Sequence, residues 1–420
     1  MAVGIYISVP FCRTKCSYCN FASGVFSRLV FAKYVERLCA DISRARETAG
    51  EMGGEFDPIA DSIYLGGGTP TVLEAGELKR IFAVVRQTFT VAPEAEITVE
   101  CAPGTLKNDT LDVLLGCGVN RVSLGVQSFV DEEARAVGRL HTRAAAIEDI
   151  RRLHEAGIEN LSVDLIAGLP HQTAESWRQS LEYLLGLGVP HASVYMLEVD
   201  EESRLGRELI AGGTRYHAHF VPDEDVAADF YLAACKRLDA AGLRQYEISN
   251  FAGEGRESRH NLKYWTRQPY LGFGVDAHSM LHAASDAYAL LRAQSGADRK
   301  VRESGTGEAG GMRPCSVSAA DLEAVRFATP DSLENYLAGA ALTRTPVSVQ
   351  SAREEEFFLG LRMTRGINLG RIALRYGIED KIRETLEELK AAELLEQNGE
   401  VVRLTARGRL LSNEVFERFV

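Results

Sequence analysis

Residues 10–21 read Pro-Phe-Cys-Arg-Thr-Lys-Cys-Ser-Tyr-Cys-Asn-Phe and place Cys12, Cys16 and Cys19 within eight positions. Thiolates are the usual protein ligands of iron–sulfur clusters, and a [4Fe–4S] cube normally takes four of them. Three ligands leave one iron open to another molecule. The other cysteines of the chain are scattered singly, so ordinary free thiols explain this spacing less well than a cluster loop does. The stretch therefore predicts a [4Fe–4S] centre with a chemical role.

The composition is that of a globular chain, and its 420 residues are enough for two or three domains. Its apolar runs are too short to span a membrane, and the N-terminus lacks the basic segment of a signal peptide. The use of cysteine is typical of a reducing cytoplasm, where we expect the protein. A formal net charge of −12 argues against non-specific nucleic-acid binding, because that activity needs Lys and Arg against phosphates.

Short apolar runs alternate with helix-period stretches through the first half of the chain. The predicted strands cover residues 4–9, 62–65, 96–100, 121–125, 161–165 and 192–197. Alternation of strand and helix indicates a parallel sheet. Six such units are too few for a complete barrel, which has eight. We therefore expect an α/β fold with an incomplete (β/α)6 barrel.

Each predicted strand ends in, or is followed by, a polar motif. These motifs are the cysteine loop, the glycine triplet at 66–68, Glu100, Gln127, Asp164 and Glu198. The carboxyl ends of parallel strands form one face, and α/β folds place their sites there. Taken singly, the triplet is either a tight turn or a close approach to a ligand, and the acids are either structural or ligand-binding. Together with Arg139, they suit a ligand that carries ammonium, carboxylate and ribose hydroxyl groups.

These motifs together resemble the radical S-adenosylmethionine (SAM) superfamily. The resemblance implies that Cys12, Cys16 and Cys19 hold the cluster and that SAM occupies its open iron. The phrases at 5–12, 65–71, 123–129 and 163–173 further resemble the HemN/HemW group of that superfamily. Within this group, Tyr6 is expected near SAM and Tyr18 beside the cluster. The remaining SAM contacts that the resemblance implies are Gly67, Gly68, Thr69, Glu100, Gln127, Arg139 and Asp164, with the backbone near Glu198 facing adenine.

Two features favour the HemW branch of this group. HemN members carry a further cysteine where this chain has Phe21, and they have an N-terminal extension that we do not expect in this protein. The run His-Asn-Leu-Lys-Tyr-Trp at 260–265 matches the H-N-x-x-Y-W motif of HemW. The resemblance thus implies a heme chaperone that passes heme to acceptor proteins, membrane-associated respiratory enzymes among them. On this interpretation we do not expect coproporphyrinogen oxidase activity. We assign no catalytic residue.

The alternative is an oxygen-independent coproporphyrinogen III dehydrogenase, which decarboxylates its substrate to protoporphyrinogen IX. This interpretation rests on the intact set of SAM residues. The two hypotheses differ in what they predict, since a chaperone binds heme stably and an enzyme turns over the porphyrinogen.

His260 has two interpretations. As a heme ligand it would bind iron through its imidazole. Asn261 would lie beside it, and Tyr264 and Trp265 would offer flat apolar surfaces to the porphyrin. As a structural residue, which a lone histidine more often is, it would hydrogen-bond within the fold. His278 is a second candidate, in a segment where Asp276 stands in place of the glycine that HemW relatives usually have.

The pattern divides the chain into three parts. Residues 1–282 are predicted to form the barrel with an extension that carries the 260–265 motif. Residues 283–328 contain a Gly-, Ser-, Arg- and Glu-rich run and are expected to be a flexible insertion or linker. Residues 329–420 are predicted to be a helical, winged-helix-like C-terminal domain of the HemN type. Its acidic residues slightly outnumber its basic ones, which favours docking on the barrel over DNA binding.

Overall fold

The computed structural model describes residues 1–285, 287 and 321–420. The strands are β1 Ala2–Val9, β2 Gly54–Glu55, β3 Asp57–Gly67, β4 Thr90–Cys101, β5 Arg121–Gln127, β6 Asn160–Ala167, β7 His191–Met196, β8 Arg244–Gln245, β9 Asn250–Ala252, β10 Tyr270–Phe273, β11 His278–Ala283, β12 Leu322–Ala328, β13 Thr343–Ser348, β14 Ile367–Asn368, β15 Leu395–Asn398 and β16 Val401–Leu404.

The helices of the barrel region are α1 Leu29–Ser43, α2 Ala45–Glu51, α3 Ala75–Thr88, α4 Asn108–Gly116, α5 Asp131–Ala136, α6 Arg143–Glu155, α7 Ala174–Gly186, α8 Arg204–Ile210, α9 Glu224–Ala240 and α10 Arg259–Trp265. Those that follow are α11 Leu333–Ala338, α12 Val349–Leu361, α13 Leu369–Tyr376, α14 Asp380–Ala391, α15 Ala406–Leu410 and α16 Ser412–Phe416. No helix in these residues is long and apolar enough to cross a membrane.

The main sheet is built on parallel strands in the order β10-β1-β3-β4-β5-β6-β7. Strand β1 forms because apolar residues occupy every second position and are fully buried, namely Val3, Ile5, Ile7 and Val9. Side chains of a strand point to opposite faces in turn, so this set packs outward on the helices. The alternate positions, such as Tyr6, face the inside of the curved sheet.

Antiparallel strands flank the parallel core on both sides. Strands β9 and β8 continue the sheet beyond β7, and β11, β12 and β13 continue it beyond β10. The two flanks do not pair with each other within the described residues, so the barrel stays open. The predicted incomplete barrel is therefore confirmed, while β10, a further strand parallel to β1, was not foreseen.

Part of the predicted linker at 283–328 is a strand. Residues 286 and 288–320 lie outside the described part of the chain, but β12 lies between β11 and β13. Its Val325 and Phe327 are buried in the main hydrophobic core, so residues 322–328 pack as part of the sheet. The alternation in β12 is weak, so the sequence pattern did not reveal it.

The C-terminal part has its own small core, in which helices α12, α13 and α14 pack beside the sheet β14-β16-β15. It is fastened to the barrel by Arg267, which follows α10. The guanidinium of Arg267 lies 2.8 Å from Glu355 of α12 and 3.1 Å from Glu323 of β12. Arg267 and Glu355 are both almost fully buried, so this ion pair sits inside the contact between the two parts.

Candidate functional site

A cavity of about 630 Å³ lies at the carboxyl ends of the parallel strands. This volume is in the range of small-molecule and cofactor sites. The cavity brings together all but one of the residues that we predicted to hold the cluster or contact SAM. Those that line it are Cys12, Cys16, Cys19, Tyr18, Gly67, Gly68, Thr69, Glu100, Gln127, Arg139, Asp164 and Glu198. The exception, Tyr6, is half-buried on β1, and its ring lies 6.1 Å from that of Tyr64.

The cysteine loop leaves β1 and folds along one wall of this cavity. The amide of Cys12 donates to the carbonyl of Gly24 over 2.8 Å, which closes the loop. The hydroxyl of Thr69 lies 3.8 Å from the sulfur of Cys12, and Arg139 lies 3.6 Å from the sulfur of Cys16. Burial raises the pKa of the Cys12 thiol, so a positive charge or metal is needed to favour its thiolate.

The donor set fits an iron–sulfur cluster better than a single ion. Within the described residues, no three His, Cys, Asp or Glu side chains converge on a point where one metal ion would sit. A cluster places each thiolate on a different iron, so its ligands surround a larger object. The three thiols on one cavity wall are compatible with that arrangement.

The glycine triplet is fixed by contact with the cysteine loop. The amides of Gly68 and Thr69 donate to the carbonyls of Val9 and Phe11 over 2.9 and 2.8 Å. A Cβ at Gly68 would lie 2.7 Å from the carbonyl oxygen of Val9, well inside van der Waals contact. The glycine therefore permits a close approach, as one interpretation held, but the partner in this structure is the backbone before the cysteines.

Glu100 is a half-buried carboxyl group at the end of β4. It accepts hydrogen bonds from the Tyr64 hydroxyl at 2.9 Å and from the Gly67 amide at 3.2 Å. Burial, together with the nearby charge of Asp164, raises its pKa to about 7. Burial also raises the pKa of Asp164, whose carboxylate accepts a hydrogen bond of 2.7 Å from Ser193. Two such acids favour a ligand that brings positive charge.

Arg139 and Gln127 supply the complementary groups. The Nε of Arg139 is buried without a hydrogen-bond partner among the described residues, and its Nη2 donates to the carbonyl of Gly125. A buried donor without a partner is costly, and a ligand carboxylate would satisfy it. Gln127 holds a left-handed backbone with φ of 70°, which is uncommon for a residue other than glycine and occurs mainly where function or packing imposes it.

His260 is placed as a structural residue. Its side chain is fully buried, and its Nδ1 and Nε2 lie 2.9 Å from the hydroxyls of Ser62 and Tyr264 respectively. Burial lowers the pKa of its imidazole to about 3, so the ring is neutral. Because both ring nitrogens are engaged, the geometry favours the structural interpretation over the axial-ligand one.

The other members of the 260–265 motif divide between two regions. Asn261 lines the cavity, while the ring of Trp265 lies under the guanidinium of Arg362 at 4.3 Å and so contacts the C-terminal part. His278 is exposed and stands 3.7 Å from the Asp276 carboxylate, away from the cavity lining. Asp276 has a φ of 54°, so it keeps the backbone conformation that a glycine adopts most easily.

Several residues of the cavity wall lie outside the predicted site. Ser123 and Ser162 lie on inward positions of β5 and β6, and His191 and Ser193 do so on β7. His191 shares a hydrogen bond of 2.7 Å with Ser162, and burial lowers its pKa well below the usual value. The signal that could have found them is the period of two, since Ser162 and Asp164 are two positions apart on β6.

Comparison with known proteins gives concordant results. A model of the radical SAM superfamily matches residues 6–184, and a model of the HemN C-terminal domain matches 347–411. The curated heme chaperone HemW of Bacillus subtilis is 32% identical over 423 residues, which cover 99% of this chain and 98% of the relative. That of Escherichia coli is 33% identical over 277 residues, covering 66% and 69%.

Among solved structures, the coproporphyrinogen III oxidase HemN of Escherichia coli, a radical SAM enzyme, superposes with a TM-score of 0.76. The superposition covers all of this chain and 90% of that one at 21% sequence identity. At this identity the likeness shows the fold. It agrees with the open parallel barrel and with the helical part that follows it.

Proposed function

The chain belongs to the HemW family of the radical SAM superfamily, and on this premise we propose that it is a heme chaperone built on a radical-SAM scaffold. It would bind a [4Fe–4S] cluster, SAM and heme, and deliver heme to acceptor proteins. The observation that carries the proposal is the convergence of three thiols, a glycine motif, two half-buried acids and an arginine on one cavity. The full-length likeness to a heme chaperone supports the cargo.

Each group of the cavity has a part in this proposal. Cys12, Cys16 and Cys19 would hold the cluster, and the buried Nε of Arg139 would donate to the carboxylate of SAM. Glu100 and Asp164 would face its cationic and hydroxyl groups. When bound, the cluster supplies single electrons, and its open iron is the position for SAM. Within this chain, the work of the residues is to bind, to orient and to exclude water.

The coproporphyrinogen dehydrogenase alternative has weaker support. It shares the SAM residues and the fold, but Phe21, which stands at the position of the further HemN cysteine, is 63% exposed beside the cysteine loop. A phenyl ring offers no ligand or proton there. Likeness to HemN at 21% identity supports the scaffold only, whereas the relatives that span this chain at about 30% identity are named heme chaperones.

We further propose that the protein acts in the cytoplasm on acceptors that include respiratory enzymes at the membrane. The absence of a membrane-spanning helix in the described residues is compatible with this. Delivery to a membrane-bound acceptor then depends on docking.

A hemin titration tests the proposal. The full chain is reconstituted anaerobically with iron and sulfide, supplied with SAM and titrated with hemin, and the Soret absorption is followed. We expect saturation at one heme per chain. When a heme-free b-type cytochrome is then added, this protein should lose its Soret absorption and the cytochrome should gain one. Absence of saturable binding in protein with a verified cluster would overturn the proposal.

A further inference from the structure

Three histidines lie close together at the surface, outside the cavity lining. His171 follows β6, and His217 and His219 lie in the helical turns Arg215–Phe220. The Nε2 of His171 is 2.9 Å from the Nδ1 of His217. The ring of Phe220 lies 4.1 Å from that of His171 and 4.0 Å from that of His219. We call His171, His217, His219 and Phe220 the histidine patch.

The patch is exposed but held in place. Phe220 is 47% exposed and Tyr216 is 38% exposed, so a flat apolar surface faces solvent. The amide of His171 donates to the carbonyl of Phe220 over 3.0 Å. His171, Tyr216 and His217 all have left-handed backbone, with φ of 67°, 54° and 59°. Non-glycine residues keep this conformation only where their surroundings impose it, and such positions cluster at functional sites.

The segment beneath the patch is fastened to the cysteine loop. Leu205, in the first turn of α8, donates its amide to the carbonyl of Ser17 over 2.8 Å. Leu205 and Ala218 are buried in one small apolar cluster, and Tyr18 packs against it. The patch therefore lies on the outer side of the loop that we propose for the iron–sulfur cluster.

We propose that the histidine patch is the heme-docking site and that His217 is its axial ligand. The inference rests on the proposed function and says where the cargo binds. The hydrogen bond between His171 and His217 needs one N–H donor. When His217 donates through Nδ1, its Nε2 keeps the lone pair that iron requires. His171 then orients the ligand ring, as hydrogen-bond partners of metal-bound histidines do.

The surroundings fit the rest of the heme. Phe220 and Tyr216 offer ring faces to the porphyrin. The guanidinium of Arg204 lies 5.4 Å from the Tyr216 ring centre and donates to the carbonyl of Lys15. Arg207 and Arg215 lie in the same stretch of chain and are exposed. Guanidinium groups bind carboxylates well, so Arg207 and Arg215 would hold the two propionates. A partly exposed site also suits a carrier, because its cargo must leave.

The test compares hemin titrations of full-length, reconstituted variants. We expect H217A to lose saturable binding and the Soret position of histidine-ligated heme, and added imidazole to restore both. As a positioning residue, His171 acts through His217, so H171A is expected to weaken binding by about tenfold. H154A, which removes an exposed histidine of α6, is the matched control and should bind as the wild type does.

The outcomes separate this inference from the proposed function. Wild-type protein that binds no heme would overturn the proposed function and the patch with it. Wild-type binding with an unchanged affinity and spectrum in H217A would overturn the patch alone. Loss of the histidine-ligated spectrum in H260N, with H217A unaffected, would also overturn it and assign the iron to the buried motif.

Discussion

The raised pKa of Glu100 makes SAM binding depend on pH. Burial raises this pKa to about 7, so the carboxyl group of the empty site is mostly protonated at pH 6 and mostly ionised at pH 8. A cationic ligand needs the ionised form. Because the ionised fraction rises from about one in eleven to about ten in eleven over this range, affinity for SAM should rise about tenfold.

The same group gives a change in stability of known sign. Its pKa is about 7 in the folded protein against 4.5 for an ordinary glutamate. Its contribution to the free energy of unfolding is therefore complete below pH 4.5 and is lost as the pH rises through 7. At 1.36 kcal/mol for each pH unit, the loss amounts to about 3 kcal/mol. The variant Glu100→Gln does not ionise and should not show this loss.

Two measurements check the reasoning. Calorimetric titration of SAM at pH 6, 7 and 8 should give the tenfold change for wild type and a flat, weaker binding for Glu100→Gln. Urea unfolding of the cluster-free proteins should show that the free energy of unfolding of the wild type falls relative to that of Glu100→Gln as the pH rises from 4.5 to 7. Glu132→Gln, which changes an exposed acid of α5, is the control and should follow the wild type. Equal SAM affinity of wild type at pH 6 and 8 would refute the account.

Four further predictions concern the cluster loop and the fold. Cys16→Ala should abolish the cluster, and a [4Fe–4S] absorption spectrum in the reconstituted variant would show the ligand assignment to be wrong. Gly68→Ala should displace the loop, lower iron content and cost about 1–3 kcal/mol of stability in urea unfolding, whereas Gly76→Ala, where a Cβ meets nothing within 4 Å, should not. Arg267→Met removes the 2.8 Å ion pair to the buried Glu355, which keeps Arg326 as a partner at 2.7 Å, and should cost about 1–3 kcal/mol in urea unfolding. Limited proteolysis that detects no loosening of the C-terminal part would contradict this. The neutral, buried His260 resists protonation, so wild-type stability should fall as the pH drops below 6.5 towards 3, and His260→Gln should flatten that fall in acid unfolding curves.

Local pattern was enough to predict six of the seven parallel strands and the position of the cavity. The alternation in β1 and the buried run of β6 arise from contacts that any sheet covered by helices needs. Glu100 and Asp164 were predicted to meet because each lies at the carboxyl end of a strand, and parallel strands end on one face. The open end of the barrel was likewise expected, since six units do not close it.

Other features depend on contacts between distant parts of the chain. His260 is neutral and buried because Ser62 and Tyr264 take both of its nitrogens, and Ser62 lies 198 positions away. The raised pKa of Glu100 comes from burial that no local pattern reports. Strand β12 could not be predicted from its own weak alternation, because it is defined by pairing with β11 and β13. The pair His171 and His217 is 46 positions apart and has no spacing that a motif search would find.

One anaerobic assay tests the central claim, that this radical-SAM scaffold carries heme and does not decarboxylate a porphyrinogen. The full chain is reconstituted with iron and sulfide, its cluster is verified by absorption, and SAM, a reductant and coproporphyrinogen III are added, with HemN as the positive control. We predict no protoporphyrinogen by chromatography, while the same preparation binds hemin. Product at a rate comparable to that of HemN would contradict the account.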